Sequence, residues 1–190
     1  MTQHLNAGYG SGREALLAAT VHVVARKGLR GLTYRAVAEV AGVNNTLVAH
    51  HFGSRDALIE AALEWSVKQS IGMSGLDKLP AGEDEFLGSI MALINENPDV
   101  QTFQYEMILE ARRRPELSAA VRNLYESYVK TLSDGLAGWG LGRDPAMAQA
   151  SFAALDGLVL QLIAGVDRQS VEQSIRYLWS TLSHVARARL

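Results

Sequence analysis

Cysteine is absent from the 190 residues, which excludes a disulfide framework, a thiolate nucleophile and a cysteine-ligated zinc site, and leaves nothing that demands an oxidising compartment. No uninterrupted apolar stretch of about 18 residues occurs, and the opening MTQHLNAGYGSG lacks the basic segment and apolar run of a secretory signal. The expectation is therefore a cytoplasmic chain that does not span a membrane. Strand-like alternation is scarce, and no repeat of about 20 to 50 residues is apparent. Neither HExxH nor a P-loop is present, and Gly138-x-Gly140-x-Gly142 follows a helical pattern rather than a strand, so it forms no dinucleotide fingerprint. Scattered Ser, His and Asp residues form no triad without geometry. No catalytic residue, cofactor or metal site is expected. His50-His51 is a poor metal pair because adjacent helical residues point about 100° apart and no third ligand lies at a useful spacing.

What the chain does have is an apolar fraction of 48% against 20% charged, enough to fold one medium domain or two small ones sharing a core. The net charge of −2 is unevenly spread. Residues 1–55 carry Arg13, Arg26, Lys27, Arg30, Arg35 and Arg55 against Glu14 and Glu39, a net +4, so the remainder carries −6. Four of the five histidines, His4, His22, His50 and His51, lie in the same part. A basic head suited to a polyanion on an acidic body fits this division.

Apolar residues recur at three- and four-residue spacing almost throughout, which predicts an all-α fold. A loose arm over 1–10 precedes a helix from Arg13 to about Lys27, ended by Gly28 to Gly31. Thr33 can cap a short helix to about Ala41, Asn44 another to about His51, and Ser54 a long one toward Gly72. The domain expectation is a basic head over 11–55, a connecting helix over 56–72 and a body over 73–190, with residues 73–82 as a linker. In the body, helices are expected near 83–96, 99–113, 115–138, 144–165 and 169–187. Pro115 suits a first helical turn, and Ser170 with Gln173 has capping-box spacing.

The informative stretch is TYRAVAEVAGVNNTLVAHHFGSR, residues 33–55. Ala38 at the helix crossing, Gly42 in the turn, and Val37, Ala41, Val43 and Val48 as the angle-fixing apolar set have helix-turn-helix spacing. Such a unit exposes the second helix, whose width fits the DNA major groove. Asn44 and Asn45 can pair with adenine edges, Thr46 can bond a base or touch a thymine methyl, and His50 can reach a base or phosphate. Arg35 on the first helix suits a guanine or a phosphate. Thr33, Tyr34, His51 and Arg55 sit at the flanks, where phosphate contacts set register without reading sequence. Asn44 is also expected to cap the helix.

The run from about Arg13 to Leu63, centred on LTYRAVAEVAGVNNTLVAHHFGSRDAL, resembles the head of the TetR family of one-component transcriptional repressors. The threonine opening the second helix, Ala-Gly-Val at the turn, His-His-Phe closing the recognition helix and Gly-Ser-Arg-Asp-Ala-Leu entering the fourth carry the resemblance. It implies an all-helical homodimer with three-helix heads, larger ligand-binding and dimerisation bodies, double-stranded operator DNA and a small-molecule effector. It also implies operator contacts from positions 33–35, 44–46, 49–51 and 55. Ala49 stands where the family commonly has tyrosine, and Asn45 and Thr46 replace a frequent basic residue and glycine. Recognition is thus expected to lean on asparagine, histidine and DNA shape.

In the body, Met91, Phe103, Met107, Tyr128 and Phe152 occur at helical spacings and are candidates for a ligand pocket, with core packing the plainer role for each one singly. Glu110 can orient a polar or cationic ligand, or make a surface ion pair. Arg112-Arg113-Arg114 reads first as a solvated helix end, with an acidic ligand or contact to the head as alternatives. Residues 148–166 are apolar around most of the helix, and the final helix has a broad apolar face. Ala154, Leu158, Leu162, Ile175, Leu178, Trp179 and Leu182 are therefore expected in a four-helix dimer seam. A helical ligand-binding or chaperone-like protein without DNA activity is the alternative, and a small helical enzyme is a further one.

Overall fold

The computed structural model describes residues 9–188. Among them are nine α-helices, two short 3-10 turns and no strand. The head comprises α1 (Tyr9–Lys27), α2 (Tyr34–Ala41) and α3 (Asn45–Phe52), with a 3-10 turn at Leu29–Gly31 between the first two. Side-chain oxygens set each short helix. The Thr33 hydroxyl accepts from the Ala36 amide at 3.0 Å, and Asn44 Oδ1 accepts from the Thr46 amide at 2.9 Å, each satisfying an otherwise orphan donor. Gly42 ends α2 with φ 68°, a left-handed conformation natural to glycine, and so makes the tight turn into α3.

The connecting helix α4 (Arg55–Ser74) starts on Ser54, whose hydroxyl accepts from the Ala57 amide at 3.1 Å. The body follows with α5 (Glu83–Asn95), α6 (Pro98–Ala111), a 3-10 turn at Pro115–Leu117, α7 (Ser118–Gly138), α8 (Pro145–Ile163) and α9 (Arg168–Ala188). Asp144 caps α8 by accepting from the Ala146 and Met147 amides at 2.9 and 3.2 Å.

Four boundaries depart from expectation. Helix α1 starts at Tyr9, inside the stretch expected to be an arm, whereas residues 1–8, His4 among them, lie outside the described residues. Helix α4 continues past Gly72 to Ser74 and ends at Gly75. Pro115 opens a 3-10 turn, so α7 begins only at Ser118. The last helix starts at Arg168, and Asp167 rather than Ser170 provides its cap, with Oδ2 accepting from the Ser170 amide at 2.8 Å. A carboxylate near the positive end of the helix is the better acceptor there.

One apolar core runs from head to body. Leu16 and Val24 of α1, Val37 of α2, Val48 of α3 and Leu58 and Ile59 of α4 continue into Phe86, Ile90, Phe103, Met107 and Leu132. Helix α1 packs on α2, α4 and α6, so the head rests on the body. Gly135 lets α7 press against the segment after α4, since a Cβ there would lie 2.1 Å from the Leu76 carbonyl oxygen. The same segment is pinned by Trp139, whose Nε1 donates to the Leu79 carbonyl at 2.9 Å. Trp139 also meets Trp179 of α9 edge-on at 5.9 Å. One helix, Pro145–Ile163, is long and apolar enough by composition to cross a membrane. It is interrupted by Gln149, Asp156 and Gln161, and packs on α7 and α9.

Candidate nucleic-acid interface and body cavity

Helix α3 buries Val48 and Phe52 and turns the opposite side outward. Asn45, Thr46 and His50 are exposed and Ala49 is half-buried between them. At three- and four-residue spacing these four form one stripe. The stripe carries donors, acceptors and a methyl group within one helix width, the chemistry needed to read base edges. Two apolar groups extend it. Leu47 and Val43 are both exposed, so Val43 does not belong to the buried set that fixes the helix angle, which Val37 and Val48 hold with half-buried Ala41. Leu47 escaped the sequence reading because an apolar residue inside an apolar pattern gives no sign of facing outward.

The flanking residues are tied into the head. Tyr34 donates from its hydroxyl to the Gly53 carbonyl at 3.1 Å, joining the start of α2 to the end of α3. Arg55 donates through Nε to the Leu32 carbonyl at 3.2 Å and through Nη2 to the Leu29 carbonyl at 2.5 Å. Its guanidinium therefore clamps the Leu29–Gly31 turn to α4, a role the sequence did not reveal. The Arg13 guanidinium lies 5.2 Å from the Phe52 ring centroid and covers the inner edge of α3. Arg35 and Thr33 are exposed beside the stripe, and His51 is half-buried at its end.

Helix α6 is held at its start by the head and just past its end by the connecting helix. At its start, Asp99 pairs with His22 at 2.7 Å and with Arg26 at 3.1 Å, both on α1. Just beyond its end, Arg114 reaches Asp56 in the first turn of α4 at 2.8 Å and Glu116 at 2.9 Å. Arg114 thus ties the segment after α6 to the connecting helix, beside the head rather than on it. The two carboxylates hold the guanidinium further in its charged form, Glu116 more than Asp56. Arg113 pairs with Glu110 at 3.1 Å on the surface.

Between these two grips α6 forms one wall of a small cavity of about 30 Å³, closed by α5, α7 and α8. Of the expected pocket residues, Tyr128 and Phe152 line it, whereas Met91, Phe103 and Met107 are core residues elsewhere and Glu110 is in its surface pair. Gln101, Gln104, Tyr105 and Asp156 complete the polar part of the wall. Tyr128 donates to Gln104 Oε1 at 2.9 Å, and Gln104 Nε2 donates to the Ser66 hydroxyl at 3.2 Å. Tyr105 donates to Asp156 Oδ1 at 2.8 Å. A wider open groove of about 320 Å³ runs between α4 and α7, and Leu124 lines both spaces.

The α8–α9 surface divides the residues expected in a dimer seam. Ala154, Leu158 and Leu178 line a shallow open depression with Gly157, Gln161, Tyr177 and Thr181, and Leu162 is half-buried nearby. Ile175 and Leu182 are buried within the chain's own core, and Trp179 packs on Trp139. Their side of α9 faces α5 and α8, because an amphipathic helix broad enough for two faces gives the more apolar one to its own chain. Tyr177, 76% exposed, is the large outward side chain that the sequence reading missed.

A three-helix head presenting one helix for a groove, joined through a long helix to an all-helical body, defines a helix-turn-helix transcriptional regulator. Comparison with known proteins places it more narrowly. Residues 16–62 match the bacterial regulatory proteins of the tetR family, and residues 81–181 match the tetracyclin repressor-like C-terminal domain. The chain belongs to the TetR family. It is 39% identical over 51 residues to the HTH-type transcriptional regulator BetI of Paraburkholderia phytofirmans, a match covering 27% of this chain and 26% of that one. The chain spans between 26 and 44% of the length of the curated relatives it matches. Among solved structures, a TetR-family member from Streptomyces coelicolor A3 is 26% identical with a TM-score of 0.68, covering 88% of this chain and 97% of that one. The multidrug binding protein EbrR complexed with proflavin is 26% identical with a TM-score of 0.61, covering 90% and 99%.

Proposed function

We propose that this regulator acts as a homodimeric repressor on a pseudo-palindromic operator and is released by a small molecule bound in its body. The observation that carries the reading is the outward stripe of Asn45, Thr46, Ala49 and His50 on a helix whose other side is locked by Val48 and Phe52. Two-fold symmetry would set two such helices in successive major grooves, about 34–36 Å apart. The α8–α9 surface suits that pairing, because small Ala154 and Gly157 allow close approach while Leu158, Leu178 and Tyr177 offer apolar area to a second copy.

Release follows from the position of α6. It forms a cavity wall through Gln104 and Tyr105, is gripped to α1 through Asp99 and, just past its end, is tied to α4 through Arg114. A ligand that spreads the cavity displaces α6 and, with it, α1 and the start of α4, so the two heads lose their groove-matched separation. The effector must bind the DNA-incompetent arrangement more tightly, because equal affinity for both changes nothing. A coupling of about 1 to 3 kcal/mol would alter operator affinity roughly 5 to 150-fold. The small-molecule role is also supported by EbrR, which was crystallised with proflavin.

Selection of bound sequences from random duplex DNA tests the proposal. Enrichment of an inverted repeat with half-sites one helical turn apart is the expected result. Failure to retain any duplex at low salt, by a folded protein, would overturn it.

A further inference from the structure

We propose that the effector of the body cavity is an organic cation with a flat or bulky apolar body, held by Asp156 as counter-ion against the rings of Tyr105, Tyr128 and Phe152. The inference rests on the body being the effector site and names the chemistry of that site.

Asp156 is the one charged residue on the cavity wall. It stands in the middle of α8, a helix otherwise without a charged side chain between Pro145 and Ile163. Among the described residues its carboxylate accepts one side-chain hydrogen bond, from Tyr105, and no lysine, arginine or histidine pairs with it. A carboxylate offers about four lone-pair sites, so most of its accepting capacity is unmet. Burial pushes its carboxyl above the ordinary range, with only the Tyr105 hydroxyl pulling the other way. An ionised group there lacks a partner that a bound cation would provide.

The surroundings fit such a guest. Tyr128 stacks on Phe152 with ring centroids 5.0 Å apart, and Tyr125 meets Phe152 edge-on at 6.1 Å. Burial, reinforced by the Asp156 charge, raises the Tyr105 phenol, and burial raises that of Tyr128 to about 12. Both rings therefore remain neutral, and their faces attract a cation that is stripped of water. An anionic guest would meet Asp156 with no basic residue on the wall to offset it. The cavity leaves only about 30 Å³ between its side chains, so the guest must enlarge it. Leu124, shared with the open groove between α4 and α7, is the wall that has to turn. Spreading the site this way separates α6 from α7 and α8, the displacement that release requires.

The test uses the full chain without DNA and three fluorescent probes. These are proflavin as the cation, N-phenyl-1-naphthylamine as a neutral apolar dye and 1-anilinonaphthalene-8-sulfonate as the anion. The variant is Asp156→Asn, which keeps an oxygen acceptor for Tyr105. Proflavin is expected to bind the wild type, displace the neutral dye, and bind Asp156→Asn about tenfold or more weakly, as loss of a partly buried charge partner predicts. Binding of the neutral dye should be the same in both proteins, which also shows that the variant is folded. Wild-type affinity for proflavin should fall as pH is lowered through the raised carboxyl range, and that of Asp156→Asn should not. If the neutral dye binds and proflavin binds both proteins alike, or if the anion is preferred, the cation assignment is wrong while the effector cavity stands. If neither proflavin nor the neutral dye binds, both readings fall.

Discussion

Arg55→Ala separates a structural clamp from a phosphate contact. The substitution removes the bonds from Arg55 to the Leu29 and Leu32 carbonyls, which hold the 3-10 turn against α4. A hydrogen bond to a charged group is worth about 1.5–3 kcal/mol. The Leu29 carbonyl keeps a second donor, the Leu32 amide at 3.2 Å, and the guanidinium is only half-buried. The pair is therefore placed below the sum of two such bonds, at about 2 kcal/mol in all. For a chain of this length that corresponds to a fall of about 4–8 °C in Tm. Thermal melting by circular dichroism reads this directly. Fluorescence anisotropy on a selected duplex at several salt concentrations reads the second half. Affinity should fall because the head is loosened, while the slope of log K against log salt stays as in the wild type. A lost phosphate contact would instead flatten that slope by about 0.9. Arg55→Lys should melt close to Arg55→Ala, because an ammonium lacks the planar fork that spans two carbonyls. Unchanged melting together with a flattened slope would refute the clamp.

Asn45→Ala should relax base choice at one operator position, removing about 1–3 kcal/mol of discrimination. Competition with single-base variants of the selected duplex measures it, and an unaltered preference would remove Asn45 from the reading face. Gly135→Ala should lower stability although alanine is the better helix former by about 1 kcal/mol, because the new methyl meets the Leu76 carbonyl oxygen. A urea midpoint equal to or above that of the wild type would show that this close approach is absent. Leu158→Glu should give monomers with poor operator affinity, since it places a charge on the small-residue face of α8. Sedimentation velocity showing an intact dimer would exclude this surface as the seam.

The head was legible because its punctuation is chemical. Thr33, Asn44 and Ser54 are caps by virtue of their oxygens, and Gly42 tolerates a backbone that other residues avoid, so the elements could be placed from residue types alone. The body helices followed from periodicity for the same reason. What periodicity could not do was assign a direction to an apolar residue. Val43 read as core and faces outward, as does Leu47, which the pattern did not single out, whereas Ile175 and Leu182 read as seam and face inward. Nor could it join residues distant in sequence. Met91, Phe103 and Met107 share the composition of a pocket but pack in the core, while the cavity wall draws on Tyr105 and Asp156, 51 positions apart. A solitary carboxylate in the apolar run of α8 was the available signal for that pair. Arg55 shows the reverse case: its position matched the family pattern, yet two of its donors go to carbonyls that only the folded turn brings near.

The three tryptophans stand at 65, 139 and 179, so the segment up to residue 62 that forms the head and the start of α4 has none. Trp139 and Trp179 meet edge-on across α7 and α9. Ultraviolet-excited emission is consequently a natural gauge of how those two helices lie, and it is blind to local melting of the reading helix. Occupancy of a groove and rearrangement of the lower bundle can thus be timed separately in the unlabelled protein, with a dye on the duplex reporting the first and indole light the second.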